Sequence, residues 1–111
     1  MALRPFSVDG AQIANSATTY YTATNCMARV DACTITNTTS GAVTVTIYRI
    51  ESGGSAGASN TILSSYSIAA GESYVVSALI GQWLETSGFI QMVASAATSL
   101  TLHLSVMEYT S

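Results

Sequence analysis

Lysine is absent from this sequence, and charged residues of either sign are few. Only 8% of the 111 residues are charged, with three arginines against six acids and a net charge of −3. A typical soluble domain carries about 25% charged residues. No basic run is present to neutralise phosphates, which argues against nucleic-acid binding. A surface of Ser, Thr, Ala and Gly suits contacts between proteins, so the composition favours assembly over the alternative of a Ser/Thr-rich monomer.

Long apolar runs and a metal-ligand set are also missing. No stretch reaches the length of a membrane-spanning helix, and the first residues, MALRPFSVDG, lack the features of a signal peptide, so we expect synthesis in a cytoplasm and no membrane partner. Cys26 and Cys33 do not form a CxxC pair, and a single histidine makes zinc improbable. Two interpretations of the cysteines stay open: free buried thiols, or a disulfide across a turn or between subunits.

No catalytic constellation is visible. His103 is the only histidine, and nothing in the spacing brings a carboxylate to orient its imidazole. We therefore predict an ordinary histidine on a sheet face, with a small hydrolase centred on His103 as the alternative. Arg29 and Asp31 are two apart on one predicted strand, as are Arg49 and Glu51, which indicates surface or cross-subunit ion pairs. We predict no catalytic residue, cofactor or metal.

What the sequence does contain is alternation. In residues 99–110, SLTLHLSVMEYT, Leu100, Leu102, Leu104 and Val106 share one phase. Strict period-two alternation predicts a strand with one buried face. Leu is not a favoured strand residue, so burial must hold it there.

Further strand patterns precede this one. Turn signals every eight to twelve residues predict about seven antiparallel strands in a β-sandwich, either immunoglobulin-like or jelly-roll-like. We expect the second and third strands to pair as a hairpin, a bulge near Cys33, and one short helical turn near 79–86. The predicted strands are residues 18–24, 28–37, 42–51, 61–69, 72–79, 89–95 and 99–110.

The two ends of the predicted domain differ in character. Residues 1–16 keep no period and predict an N-terminal arm that docks on a neighbour through its apolar side chains, or is partly disordered. Residues 17–111 then form a single sandwich domain. Trp83 either plugs one end of the core or is an exposed anchor for a partner. The candidate interface residues are Leu3, Arg4, Phe6, Val8, Arg29, Arg49 and Trp83.

Most of the chain beyond Ala28 resembles small structural proteins of tailed bacteriophages. The stretch DACTITNTTSGAVTVTIYRI, followed by a Gly/Ser loop and an IAAGE…LIGQWLETSGFIQMVASAA segment, carries the likeness. Phe89 departs from it, since that position tends to be polar, and the cysteines are not part of it. The matching segments are residues 34–37, 69–72, 81–82 and 88–95.

The resemblance implies a β-sandwich subunit present in many copies on a virion. It would decorate the capsid, ring the neck or collar, or sit on the tail, after assembly in the host cytoplasm. Its partners would be copies of itself and other virion proteins, such as major capsid, portal, neck or tail proteins. The alternative function is a carbohydrate- or host-surface-binding module that uses exposed aromatic side chains: Tyr20, Tyr21, Tyr48, Tyr66 and Trp83.

Overall fold

The computed structural model of this chain describes residues 2–110, which fold into two antiparallel sheets. Sheet A has the strand order β1-β9-β3-β6, with β7 also paired to β3, and sheet B has the order β2-β8-β4-β5. The strands are β1 Ala2–Gln12, β2 Thr18–Thr22, β3 Met27–Asn37, β4 Val43–Ile50, β5 Thr61–Ile68, β6 Ser73–Val75, β7 Trp83–Leu84, β8 Phe89–Ala94 and β9 Leu100–Thr110.

The strands pair in a nested order. β1 pairs with β9, β2 with β8, β3 with β6 and β4 with β5, each antiparallel. The chain therefore resembles one long hairpin wrapped into two sheets, which is the jelly-roll arrangement. The all-β sandwich prediction is confirmed, and the topology favours the jelly-roll form of it.

The core lies between the inner faces of the two sheets. The predicted apolar row of β9 is buried as expected. β3 extends this row within sheet A, and β4 and β8 of sheet B supply the facing side chains. No buried side-chain nitrogen or oxygen among the described residues lacks a hydrogen-bond partner. The largest fully buried side chains are Ile13, Ile35, Ile47, Ile50, Ile68, Leu79, Leu84, Ile90, Met92, Leu100, Leu102 and Leu104.

The residues expected to form an arm include a strand. Ala2–Gln12 runs along the edge of sheet A and pairs with β9 from Ala2↔Thr110 to Gln12↔Thr101. A register shift between Asp9 and Ala11, at Gly10 with φ of +74°, marks a bulge. Periodicity is missing from the sequence because most side chains of this strand are exposed on both faces. Pro5 is tolerated because an edge strand has one side without a ladder.

The predicted hairpin between the second and third strands is wrong. β3 lies in sheet A and β4 in sheet B, so the short connection crosses between the sheets. The buried side chain of Asn37 holds this crossing: its Nδ2 donates to the carbonyls of Gly41 (2.8 Å) and Ile68 (2.9 Å). Its Oδ1 accepts from the backbone N–H and the hydroxyl of Thr39.

The short helical turn lies elsewhere than predicted. The one 3-10 turn of residues 2–110 spans Ala58–Asn60, inside the Gly/Ser loop. Residues 77–81 form turns, closed by N–H groups of Leu79 and Gln82, and lead directly into β7. The predicted bulge in β3 lies two residues before Cys33, between Val30 and Ala32. No helix among residues 2–110 is long and apolar enough to cross a membrane.

Candidate interaction surface

The cross-strand register of sheet A collects apolar side chains on its solvent-facing side. Tyr109 lies between Leu3 of β1 and Met27 of β3. In the next row Met107 lies between Pro5 and Arg29, and Arg29 in turn lies opposite Trp83. Because directly opposite residues share a face, these seven side chains form one continuous surface. We call this surface the outer patch: Leu3, Pro5, Met27, Arg29, Trp83, Met107 and Tyr109.

Aromatic and charged groups contact each other within the outer patch. The rings of Trp83 and Tyr109 have centroids 5.0 Å apart and are tilted by 39°. The Arg29 guanidinium carbon lies 5.9 Å from both centroids, within cation–π range. Arg29 Nε also donates to Asp31 Oδ1 at 3.0 Å. That hydrogen bond is the main cause that raises the pKa of Arg29.

The outer patch is exposed despite its apolar character. Leu3 is 61% exposed, Met27 46% and Trp83 43%. The interpretation of Trp83 as a plug in the core is therefore wrong, since the core at this end is filled by Leu84 instead. The outer face of sheet B is mixed, because Thr44, Thr46 and Gln91 alternate there with the half-buried side chains of Tyr48 and Val93.

The inner face of β1 carries a different set of contacts, centred on Glu108. This carboxylate is 5% exposed and accepts from Arg4 Nε on Oε1 (2.7 Å) and from the Tyr21 hydroxyl on Oε2 (2.5 Å). Phe6 packs on Tyr21 with ring centroids 5.6 Å apart. The Tyr21 bond, and then Arg4, lower the pKa of Glu108 against the opposing effect of burial. Burial first, and then Glu108, raise the pKa of Tyr21.

The seven predicted interface residues separate into three groups. Leu3, Arg29 and Trp83 meet on the outer patch. Arg49 belongs to β4 of sheet B, and its Nη1 donates to the Trp83 carbonyl at 2.8 Å. The remaining three, Arg4, Phe6 and Val8, point to the other face of β1 and line a cleft of about 410 Å³ together with Tyr20 and Tyr21.

Several residues of these surfaces were missed from the sequence, although signals for them existed. Met107 and Tyr109 continue the outward phase of β9, so the alternation itself could have placed them on the solvent-facing side of that strand. Glu108 falls in the same phase as the buried Leu row, and a lone charge in an apolar phase is a signal of a buried ion pair. Met27 carried no such signal, because only the register with Tyr109 places it.

A groove of about 500 Å³ opens beside Trp83 at the end of the sandwich, between β7 and the ends of β4 and β5. Its wall combines the Trp83 ring and Met27 with charged and amide groups. Those polar side chains are Arg49, Glu51, Asn60 and Glu85.

The cysteines and the histidine are not members of the outer patch, and Cys26 lies beside Glu108 and Tyr21. Cys26 and Cys33 are free thiols, 3% and 1% exposed. Burial raises the pKa of Cys33 to about 12 and is also the main cause that raises the pKa of Cys26. His103 is exposed on sheet A, opposite Thr34 and Asp9. Within residues 2–110, no group of three or more His, Cys, Asp or Glu side chains could hold a metal ion.

Comparison with known proteins shows a likeness in fold. No family model and no curated protein sequence matches the chain. Among solved structures, it is similar to a protein of the disulfide-linked pili that are Bacillus endospore appendages, with 18% identity, a TM-score of 0.53, and coverage of 98% of this chain and 87% of that one. A chain of the T13 viral particle of infectious bursal disease virus has 16% identity and a TM-score of 0.48, with 95% of this chain and 31% of that one covered.

Proposed function

We propose that this chain is a non-enzymatic structural subunit of a bacteriophage virion, present in many copies and held by protein–protein packing. The observation that carries the proposal is the exposed apolar surface at one end of sheet A. A chain with so little charge exposes Leu3, Met27 and Trp83 there, beside Met107 and Tyr109. Exposed apolar patches rimmed by polar residues mark interaction sites.

Two further points support the virion assignment. The jelly roll is a fold found in viral capsid domains. The pattern of strand and turn residues that resembles tailed-phage structural proteins also runs through most of the chain beyond Ala28. A capsid decoration protein or a neck-collar subunit is the form of this role that we favour.

The experiment is to measure the copy number of this chain in purified particles of the bacteriophage that encodes it. We expect quantitative mass spectrometry of gradient-purified virions to find it at a fixed, high ratio to the major capsid protein. Absence from particles would contradict the proposal. A matching electron cryo-microscopy map would then locate it on the capsid, neck or tail.

A filament role, as in the endospore appendages, predicts a different result. The pili of that relative are disulfide-linked. Both thiols of this chain are buried, so a linkage between folded subunits through Cys26 or Cys33 has no accessible sulfur. We therefore expect no disulfide-linked ladder on non-reducing gels. Filaments in negative stain that dissociate on reduction would favour the pilus role instead.

The groove beside Trp83 favours one second candidate, a carbohydrate-binding module. An aromatic ring flanked by Arg49, Glu51 and Glu85 offers stacking and hydrogen-bonding groups together. Binding on a glycan array that Trp83→Ala removes without loss of folding would support this candidate. An array without binding to the native protein would count against it.

A further inference from the structure

We propose that the outer patch is a twofold contact between two copies of this chain. The inference rests on the proposed function, because it names the surface through which a structural subunit would meet its own copy. In this contact the outer patches of the two copies face each other. The patch of one copy then packs against the patch of the second, and the contact buries Trp83, Tyr109 and Met27 of both copies.

The strand edges are poorly suited to be this contact. β1 is interrupted by Pro5 and by the Gly10 bulge, and β5 by Ser65, which has φ of +45°. β2, the other edge strand of sheet B, is five residues long and has a register shift between Thr19 and Tyr21. β6 and β7 are only three and two residues long. Proline, bulges and short edge strands are the devices by which proteins prevent edge pairing. A face of sheet A therefore offers a better contact than an edge.

The charges of the outer patch complement themselves. Arg29 and the adjacent Asp31 place one cation and one anion 3.0 Å apart at the margin of the apolar surface. A guanidinium has five N–H donors. Because Arg29 Nε donates to Asp31 within the chain, the Nη groups are left to donate to a second acceptor. In the proposed contact the twofold axis passes beside Arg29 and Asp31, so each Arg29 meets Asp31 of the second copy and two reciprocal pairs form.

A head-to-tail contact fits the surface less well. Leu3, Trp83 and the other members of the outer patch lie at the same end of sheet A, so they form one surface and not two complementary ones. On the opposite outer face Thr44, Thr46 and Gln91 separate the half-buried side chains of Tyr48 and Val93, so that face lacks a continuous exposed apolar surface for a partner patch. Contacts that join the same patch on both subunits have twofold symmetry.

The first test is sedimentation equilibrium of the full chain across a range of concentrations. We expect a dimer, or a larger assembly with an even number of chains, whose dissociation constant rises about tenfold or more in Trp83→Asp. Tyr48→Asp makes the same exchange of an aromatic for an acid on the outer face of sheet B and should leave the dissociation constant unchanged. Circular dichroism checks that both variants remain folded.

The second test uses the charges and does not depend on Trp83. Arg29→Asp and Asp31→Arg each place like charges across the twofold axis, so each variant alone should associate about tenfold more weakly than the native chain. An equimolar mixture of the two should regain association as a one-to-one pair, because opposite charges then face each other.

The outcomes separate this inference from the proposed function. A native chain that stays monomeric at all concentrations overturns the twofold contact. The twofold contact is also overturned if neither Trp83→Asp nor the charge variants weaken the association of the chain. It is overturned as well if the equimolar mixture of Arg29→Asp and Asp31→Arg does not regain association. The role in the virion is decided independently by the copy number in particles, so a chain abundant in virions without this contact would leave the proposed function standing.

Discussion

Glu108 is a single charged residue inside the apolar phase of β9. Its carboxylate is buried, and two donors satisfy it, one from each sheet: Arg4 on β1 and Tyr21 on β2. The Arg4 side chain is 61% exposed, so water screens that ion pair and limits its contribution to stability. The Tyr21 hydroxyl is buried, and its bond to the carboxylate should contribute more.

Removal of the Tyr21 hydroxyl tests this directly. We expect Tyr21→Phe to lower the free energy of unfolding by about 2 kcal/mol, because a hydrogen bond to a charged group is lost and a buried carboxylate oxygen loses its donor. Urea denaturation measures the change. Tyr48→Phe, on the half-exposed outer face of sheet B, serves as the control and should change stability by less than about 0.5 kcal/mol. Equal stability of the two variants would contradict the role of the bond.

The lowered pKa of Glu108 also sets a pH dependence. A carboxyl whose pKa is lower in the folded than in the unfolded state adds stability above its ordinary value of 4.5, and that stability is lost as pH falls through the folded-state pKa. We expect the native chain to be more stable than Glu108→Gln at pH 7 and the difference to shrink below pH 4.5. Denaturation of both proteins between pH 7 and pH 3 gives the difference. A difference that is constant with pH would exclude this linkage.

The two thiols should be inert in the folded protein. Burial raises the pKa of both Cys26 and Cys33, and only a thiolate reacts readily. At pH 8 we expect neither to react with a disulfide-exchange reagent within the time in which both react in denaturant. Mass spectrometry of the labelled protein assigns the sites. Rapid labelling of the native chain at either cysteine would contradict this expectation, because it would mean that the folded protein opens locally and exposes the thiol.

At the scale of elements, Asn37 is where the chain leaves sheet A for sheet B. Its side-chain Nδ2 donates hydrogen bonds to the carbonyls of Gly41 and Ile68, and its Oδ1 accepts two hydrogen bonds from Thr39. We expect Asn37→Ala to cost about 3 kcal/mol in thermal or urea unfolding, because buried backbone groups lose their partners. Asn60→Ala also removes two amide bonds, but in the exposed loop, and should cost less than 1 kcal/mol. Similar losses for the two variants would mean that the crossing does not depend on Asn37.

Elements with strong alternation, or with a run of β-branched and aromatic residues, could be predicted, and those with neither could not. The predicted boundaries of β2, β3, β4, β5, β8 and β9 agree with the structure within two residues. β1 was predicted as an arm because its side chains bury little on either face, so no phase marks it as a strand. β7 escaped prediction because two residues cannot show a period. The prediction that β3 pairs with β4 was wrong, because a short connection has the same sequence pattern whether it closes a hairpin or crosses between sheets.

At the scale of the whole molecule, low charge should make self-association insensitive to salt. The net charge is −3, and the outer patch is mainly apolar, so burial of apolar area provides most of the free energy of contact. We expect the dissociation constant to change less than about threefold between 0.05 and 0.5 M salt, as measured by sedimentation equilibrium. A tenfold weakening at high salt would assign the contact to charges instead.

The sequence by itself determined the class of the fold, because apolar and polar residues alternate along β3, β4 and β9 and so indicate which side chains are buried. It also pointed to assembly, because composition reports surface character without reference to topology. Tertiary structure alone decided which strands share a sheet and which exposed side chains meet. Leu3, Met27, Trp83 and Tyr109 are far apart in the chain, and only the register of β1, β9, β3 and β7 makes them one surface.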